Sequence, residues 1–116
     1  MPSKSADTRR WLLDIRHNIH LAGEFVAGLD YEQFLADART FYAATRCLEI
    51  ISEASRRLPP ELKARHPSIP WNQMAGAGNV YRHDYEDVEQ KFIWQAIKHR
   101  LQELLAVVED ELKELS

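Results

Sequence analysis

Long hydrophobic runs are missing from this chain. Its apolar stretches are a few residues long, far short of the roughly 20 that a membrane-spanning helix needs, so no membrane is expected as a partner. The opening MPSKSADTRR has no apolar core and does not read as a secretory signal. A cytoplasmic protein is expected. Cysteine is nearly absent: Cys47 stands alone, which excludes an internal disulfide. Its place beside Leu48 in a helical pattern reads as a small buried hydrophobe rather than a reactive thiol. An excess of positive charge is missing too. Lys and Arg number 15 against 18 Asp and Glu, a net charge of −3, so bulk charge does not suit the chain to coating nucleic acid, although a local basic pocket is still allowed. Strand patterns, internal repeats and low-complexity tracts do not occur. Nor do a Walker-type loop, a dinucleotide fingerprint, an HExxH pair or a nucleophile elbow.

What is there is the mix of a globular domain, 45% hydrophobic and 28% charged over 116 residues. That length fits one domain, residues 1–116, with a real core. Trp11, Ile15, Ile19, Ala22, Val26 and Leu29 recur at helical spacing and predict a first helix from about Asp7 to Ala27, ended by Gly28. Asp30 with Gln33 forms a capping-box pattern for a second segment, Tyr31 to Leu58, with a break near Asp37. Its apolar line is Phe34, Ala38, Phe41, Thr45, Leu48, Ile51 and Ser55, and Pro59-Pro60 stops it. The connector 59–70 allows a single turn at Glu61 to Arg65, and Pro70 suits the first turn of a third helix, Trp71 to about His83. Gly76 and Gly78 inside that helix each cost about 1 kcal/mol relative to alanine, a sign of close approach by a backbone or ligand. A last helix from Asp87 or Val88 to Leu115 carries the stripe Ile93, Ile97, Leu101, Leu104, Val108, Leu112, Leu115. Amphipathic helices with short connectors predict an all-α, four- to five-helix antiparallel bundle.

Few groups suit chemistry. His17, His20 and Glu24 have metal-ligand spacing but lack a fourth group, and read as a solvated helix face. His66 in the connector and His99 beside Lys98 and Arg100 read as surface residues. No metal site and no cofactor is expected. The remaining constellation is GAGNVYRHDYEDV, residues 76–88. His83 can take or give a proton near neutral pH, and Arg82 beside it can neutralise a phosphate. That pair suffices for metal-independent RNA cleavage, in which the 2′-hydroxyl attacks and the cation stabilises the charged phosphorane. A polar turn between helices would use similar residues.

Several segments together resemble the HepT-like branch of the HEPN (higher eukaryotes and prokaryotes nucleotide-binding) superfamily, small helical toxins of prokaryotic toxin–antitoxin pairs. Leu48 to Ala54 matches a Leu-Glu-Ile-Ile-x-Glu-Ala stretch, His66 to Trp71 matches His-Pro-x-Ile-Pro-Trp, and residues 78–85 match an Arg-x4-His-x-Tyr motif before the last helix. The resemblance implies a HEPN-like homodimer with its motif facing the cleft between subunits. It also implies an RNA substrate and endoribonuclease activity. The implied partner is a minimal nucleotidyltransferase antitoxin, which in some members adenylylates the motif tyrosine. By position His83 is the family histidine, Tyr85 the tyrosine that would be modified, and Asn79 the polar residue after the arginine. The arginine position itself holds Gly78. Arg82 is the substitute cation: it does not stand at the lost position, but its long flexible stem would let it reach the same phosphate. Gly78, Asn79, Tyr81 and Asp84 are the candidate nucleotide- or RNA-contacting residues. The alternative is a catalytically impaired HEPN subunit that binds a nucleotide or a partner and cleaves nothing.

Overall fold

The computed structural model describes residues 4–73 and 86–115. Every regular element among them is helical. The order is α1 (Lys4–Val26), α2 (Tyr31–Ala36), α3 (Ala38–Arg57), α4 (Pro60–Ala64), α5 (Glu86–Gln95), a π-helical turn (Ala96–Arg100) and α6 (Leu101–Glu114). A further helical turn begins at Trp71, and the rest of the helix expected to run to His83 lies outside the described residues.

Local chemistry sets the boundaries. Gly28 adopts φ +79°, a left-handed conformation that suits glycine and turns the chain out of α1. The capping box at Asp30 forms: its carboxylate accepts from the Gln33 amide at 2.8 Å, and the Gln33 side chain accepts from the Asp30 amide at 2.9 Å. Asp37 is the predicted break. Its backbone is extended, and its carboxylate accepts from the Thr40 amide at 3.1 Å and the Thr40 hydroxyl at 2.7 Å, capping α3. Those bonds, the hydroxyl first, hold the Asp37 carboxyl below its ordinary range. Leu58 is the last residue before the proline pair. The turn expected at Glu61 starts one residue earlier because Pro60 occupies the first helical position, where its missing N–H costs nothing.

α1 packs along α3, and α6 lies against α1. Leu12, Ile15, Ala22 and Val26 of α1, Ala44, Leu48 and Ile51 of α3, and Ile93, Leu101, Leu104 and Val108 of the last helix form the buried centre. Five expected core positions are not fully buried: Ala38 is exposed, and Trp11, Leu29, Phe41 and Leu115 are half-buried. Trp11 is only half-buried and Leu12 beside it takes the core place, because a face two residues wide leaves room for one large group at its edge. Ala38 is exposed, since the chain is still turning at Asp37. Cys47 is buried, and burial pushes its thiol pKa up, as for an inert core cysteine.

The last helix was expected to be continuous α-helix. Its π turn has a packing reason. Ile93, Ile97 and Leu101 are spaced by fours, and each such step in an α-helix drifts about 40°. The wider π turn absorbs that drift, so all three face the core.

Candidate functional site

The sequence concentrates its chemistry between residues 76 and 88. His83, Arg82, Tyr85, Asn79, Gly78, Asp84 and Tyr81 all lie outside the described residues. The frame on both sides of the stretch is described: a helical turn starting at Trp71 before it, and α5 starting at Glu86 after it.

The first side is fastened by hydrogen bonds that sequence reading missed. The Trp71 indole N–H donates to the carbonyls of Lys63 at 3.1 Å and His66 at 3.0 Å, which ties the turn back onto the connector. Ile69 is buried. The connector in turn is clamped to α6. The Arg65 guanidinium donates to both carboxylate oxygens of Glu111, at 2.7 Å and 3.2 Å, and His66 Nε2 lies 2.6 Å from the same carboxylate. An ionised carboxylate only accepts, so Nε2 carries the proton. Glu111 is 6% exposed. The Arg65 guanidinium holds its carboxyl below the ordinary range, with His66 adding to the effect and burial opposing it. The same contact raises the Arg65 pKa.

This corrects the reading of His66 as a surface residue: it is half-buried and paired with an acid. A signal for Glu111 was present. It falls three residues after Val108 and seven after Leu104, which puts it on the buried face of the last helix, where a carboxylate requires partners. The His-Pro-x-Ile-Pro-Trp stretch is therefore a strap: one end bonds α6, Ile69 enters the core, and Trp71 starts the helical turn that leads into the motif.

The Leu48 to Ala54 stretch divides between two roles. Leu48, Ile51 and Ala54 are buried, while Glu49, Ile50 and Glu53 reach a groove of about 260 Å³ between α1 and α3. Arg10, Arg46 and Arg57 share this groove with Asp14, Glu49 and Glu53. Glu53 bonds both Arg56 and Arg57, the latter at 3.2 Å, and these bonds, Arg56 first, hold its carboxyl below the ordinary range. Within the groove Arg57 pairs with Glu53 and Arg46 with Glu49, while Arg10 pairs with Asp7 outside it. Phe25 and Tyr42 are the large apolar side chains most open to solvent near these helices, Tyr42 at 71% exposure.

His17 and His20 are exposed, and among the described residues no group of three or more His, Cys, Asp or Glu is placed to hold a metal ion. No helix among the described residues is long and apolar enough to cross a membrane.

The family model described as ribonuclease HepT-like matches residues 15–111. Similar proteins bear the names of ribonucleases. A "Probable ribonuclease HepT" of Thermococcus cleftensis is 38% identical over 94 residues, covering 81% of this chain and 86% of that one. A "Putative RNase" of Caldanaerobacter subterraneus subsp. tengcongensis is 34% identical over 107 residues, 92% of each chain. Another, of Methanocaldococcus jannaschii, is 30% identical over 115 residues, 99% of this chain and 97% of its own. No solved structure matches this chain. The match spans the core helices, the strap and the motif stretch alike, and the chain belongs to the HepT-like ribonuclease family.

Proposed function

We propose that this chain is a HepT-like toxin, a single-domain, metal-independent endoribonuclease that works as a homodimer and is paired with a minimal nucleotidyltransferase antitoxin in the cytoplasm. The observation that carries the reading is the family match over residues 15–111, which runs through the motif stretch and the strap that precedes it. His83 is the general acid/base. It accepts the proton of the RNA 2′-hydroxyl as that oxygen attacks the adjacent phosphorus, and the bond from phosphorus to the 5′-oxygen breaks as a proton returns to that leaving oxygen. The products are a 2′,3′-cyclic phosphate and a 5′-hydroxyl. Arg82 supplies the positive charge that the phosphorane requires, and Asn79, Gly78, Tyr81 and Asp84 contact the nucleotide. Tyr85 is the site at which the antitoxin adenylylates and silences the toxin.

Two substitutions test the roles. His83→Ala abolishes RNA cleavage and growth inhibition; undiminished cleavage by this variant removes His83 from the mechanism. Arg82→Ala lowers cleavage by about 10²-fold or more, the usual effect of removing a transition-state donor. Parent-like cleavage by that variant rules Arg82 out as the replacement cation.

One observation favours a second reading. Glycine stands at position 78, where the family motif has arginine. A subunit that kept the fold and lost the cation would bind a nucleotide or its partner and cleave nothing. Purified protein incubated with RNA and a chelator separates the two, because only the ribonuclease yields cyclic phosphate ends.

A further inference from the structure

The last helix carries a basic band that neither the motif nor the strap uses. From Lys91 to Gln102 there are three Lys or Arg, one His, and no Asp or Glu, in a chain whose net charge is −3. Elsewhere the described arginines often have carboxylate partners: Arg10 with Asp7, Arg46 with Glu49, Arg56 and Arg57 with Glu53, and Arg65 with Glu111. Among the described residues Lys91, Lys98 and Arg100 have none, although Glu32 is on α2, which packs against α5. Two of these cations are held by rings instead. The Lys98 ammonium lies 4.8 Å from the Trp94 ring centre, and the Arg100 guanidinium 5.5 Å from that of Phe92. Trp94 is itself fixed against Phe34 at 5.2 Å and Tyr31 at 5.8 Å.

The π turn makes this arrangement. In an α-helix, residues eight apart are offset by about 80°, which would carry Arg100 away from Phe92. One extra residue in the turn brings Arg100 back over the ring. The Leu101 amide bonds the Ala96 carbonyl, and the Gln102 side chain donates to the Ile97 carbonyl at 3.3 Å, so the widened turn is satisfied. Ile93 points to the core, so Phe92 and Trp94 flank it on opposite sides, and exposed Lys91 and His99 lie on the outer face between them. The band thus wraps the solvent side of the helix.

A carboxylate partner orders a cation and cancels its charge. An aromatic ring orders it and leaves the charge in place for an incoming anion. We infer that Lys91, Lys98 and Arg100 form a contact track for the phosphate backbone of single-stranded RNA, with Trp94 and Phe92 holding two of the cations in position. The inference rests on the ribonuclease reading for the class of ligand, and it assigns the track to binding, not to the cleavage step.

The test separates binding from cleavage. The probe is a fluorescent 2′-O-methyl oligouridine of about 20 nucleotides, which lacks the 2′-hydroxyl nucleophile; its affinity is followed by anisotropy from low to moderate salt. The triple variant Lys91→Gln, Lys98→Gln, Arg100→Gln is compared with a charge-matched control, Arg9→Gln, Arg39→Gln, Lys113→Gln. The track variant weakens binding by about tenfold or more and reduces the log–log salt slope by roughly 2, as expected for three lost phosphate contacts. The control shifts neither by that much. Lys98→Arg with Arg100→Lys retains most of the affinity, and circular dichroism verifies the fold of each variant. Equal losses in track variant and control overturn the inference, since net charge alone then explains them. So does a track variant that binds the probe as the parent does while losing a protein partner. If the parent fails to cleave ordinary RNA yet binds the probe through these residues, the track stands and the ribonuclease reading falls. If cleavage persists while the salt slope is unchanged by the track variant, the reverse holds.

Discussion

From Lys91 to Gln102 the last helix carries three Lys or Arg and no acid, whereas from Glu103 to Glu114 it carries five acids and one Lys. Both halves bury the same apolar stripe, from Ile93 and Ile97 to Leu104 and Val108. They differ in how their charged groups are held. In the second half Glu111 sits under the connector and is bonded by Arg65 and His66. In the first half Lys98 and Arg100 lie over neutral rings. One helix therefore serves two purposes. Its C-terminal half locks the strap that leads into the motif, and its stretch from Lys91 to Gln102 carries cations with no carboxylate partner among the described residues.

If the second half is a lock, Glu111→Ala is the most damaging single change to stability outside the apolar core. It strips a half-buried imidazole and a guanidinium of their shared acceptor, and the expected loss is about 2 kcal/mol, read as a lower urea midpoint. A variant that unfolds where the parent does would show that Glu111 does not hold the connector. Trp71→Phe keeps the ring and removes the indole donor from two carbonyls. Its expected cost is about 1 kcal/mol. Hydrogen exchange should show that cost as faster opening of the connector amides, with α1 and α3 little affected.

The lock also predicts a pH dependence. The Glu111 carboxyl is held below its ordinary range in the folded chain and returns to it on unfolding. Its contribution is complete above the unfolded value, roughly pH 4, and is lost as pH falls through the depressed folded value. Urea midpoints of the parent should drop more steeply on acidification in that window than those of Glu111→Gln. Parallel curves would remove Glu111 from the acid response. The smallest effect is expected away from both halves. The Ser55 hydroxyl is buried without a hydrogen-bond partner among the described residues, so Ser55→Ala should leave stability unchanged or raise it by up to about 1 kcal/mol.

Much of the fold was legible because it is local. The Asp30 capping box, the break at Asp37, the stop at Pro59 and the apolar stripe of the last helix each follow from residues within one or two turns. The π turn was hidden in plain spacing. The fours between Ile93, Ile97 and Leu101 look helical, and only the need for all three to face one core exposes the drift. The pairing of Arg65 and His66 with Glu111 joins residues 45 and 46 positions apart, and no local pattern carries such a contact. The motif was read from its resemblance to a family to which the chain belongs, and its residues lie outside the described ones. The roles of His83, Arg82 and Tyr85 rest on chemistry that only activity can test. The strap's structural purpose needed coordinates, because a proline-rich connector gives no sign of which helix it bonds.

The most direct measurement is the end chemistry of cleaved RNA. Purified parent protein and His83→Ala are each incubated with RNA in the presence of a chelator, and the termini are analysed. The parent is expected to leave 2′,3′-cyclic phosphate and 5′-hydroxyl ends, and His83→Ala none. Equal cleavage by the variant, or products ending in 3′-hydroxyl and 5′-phosphate, would contradict a histidine-driven attack by the 2′-hydroxyl.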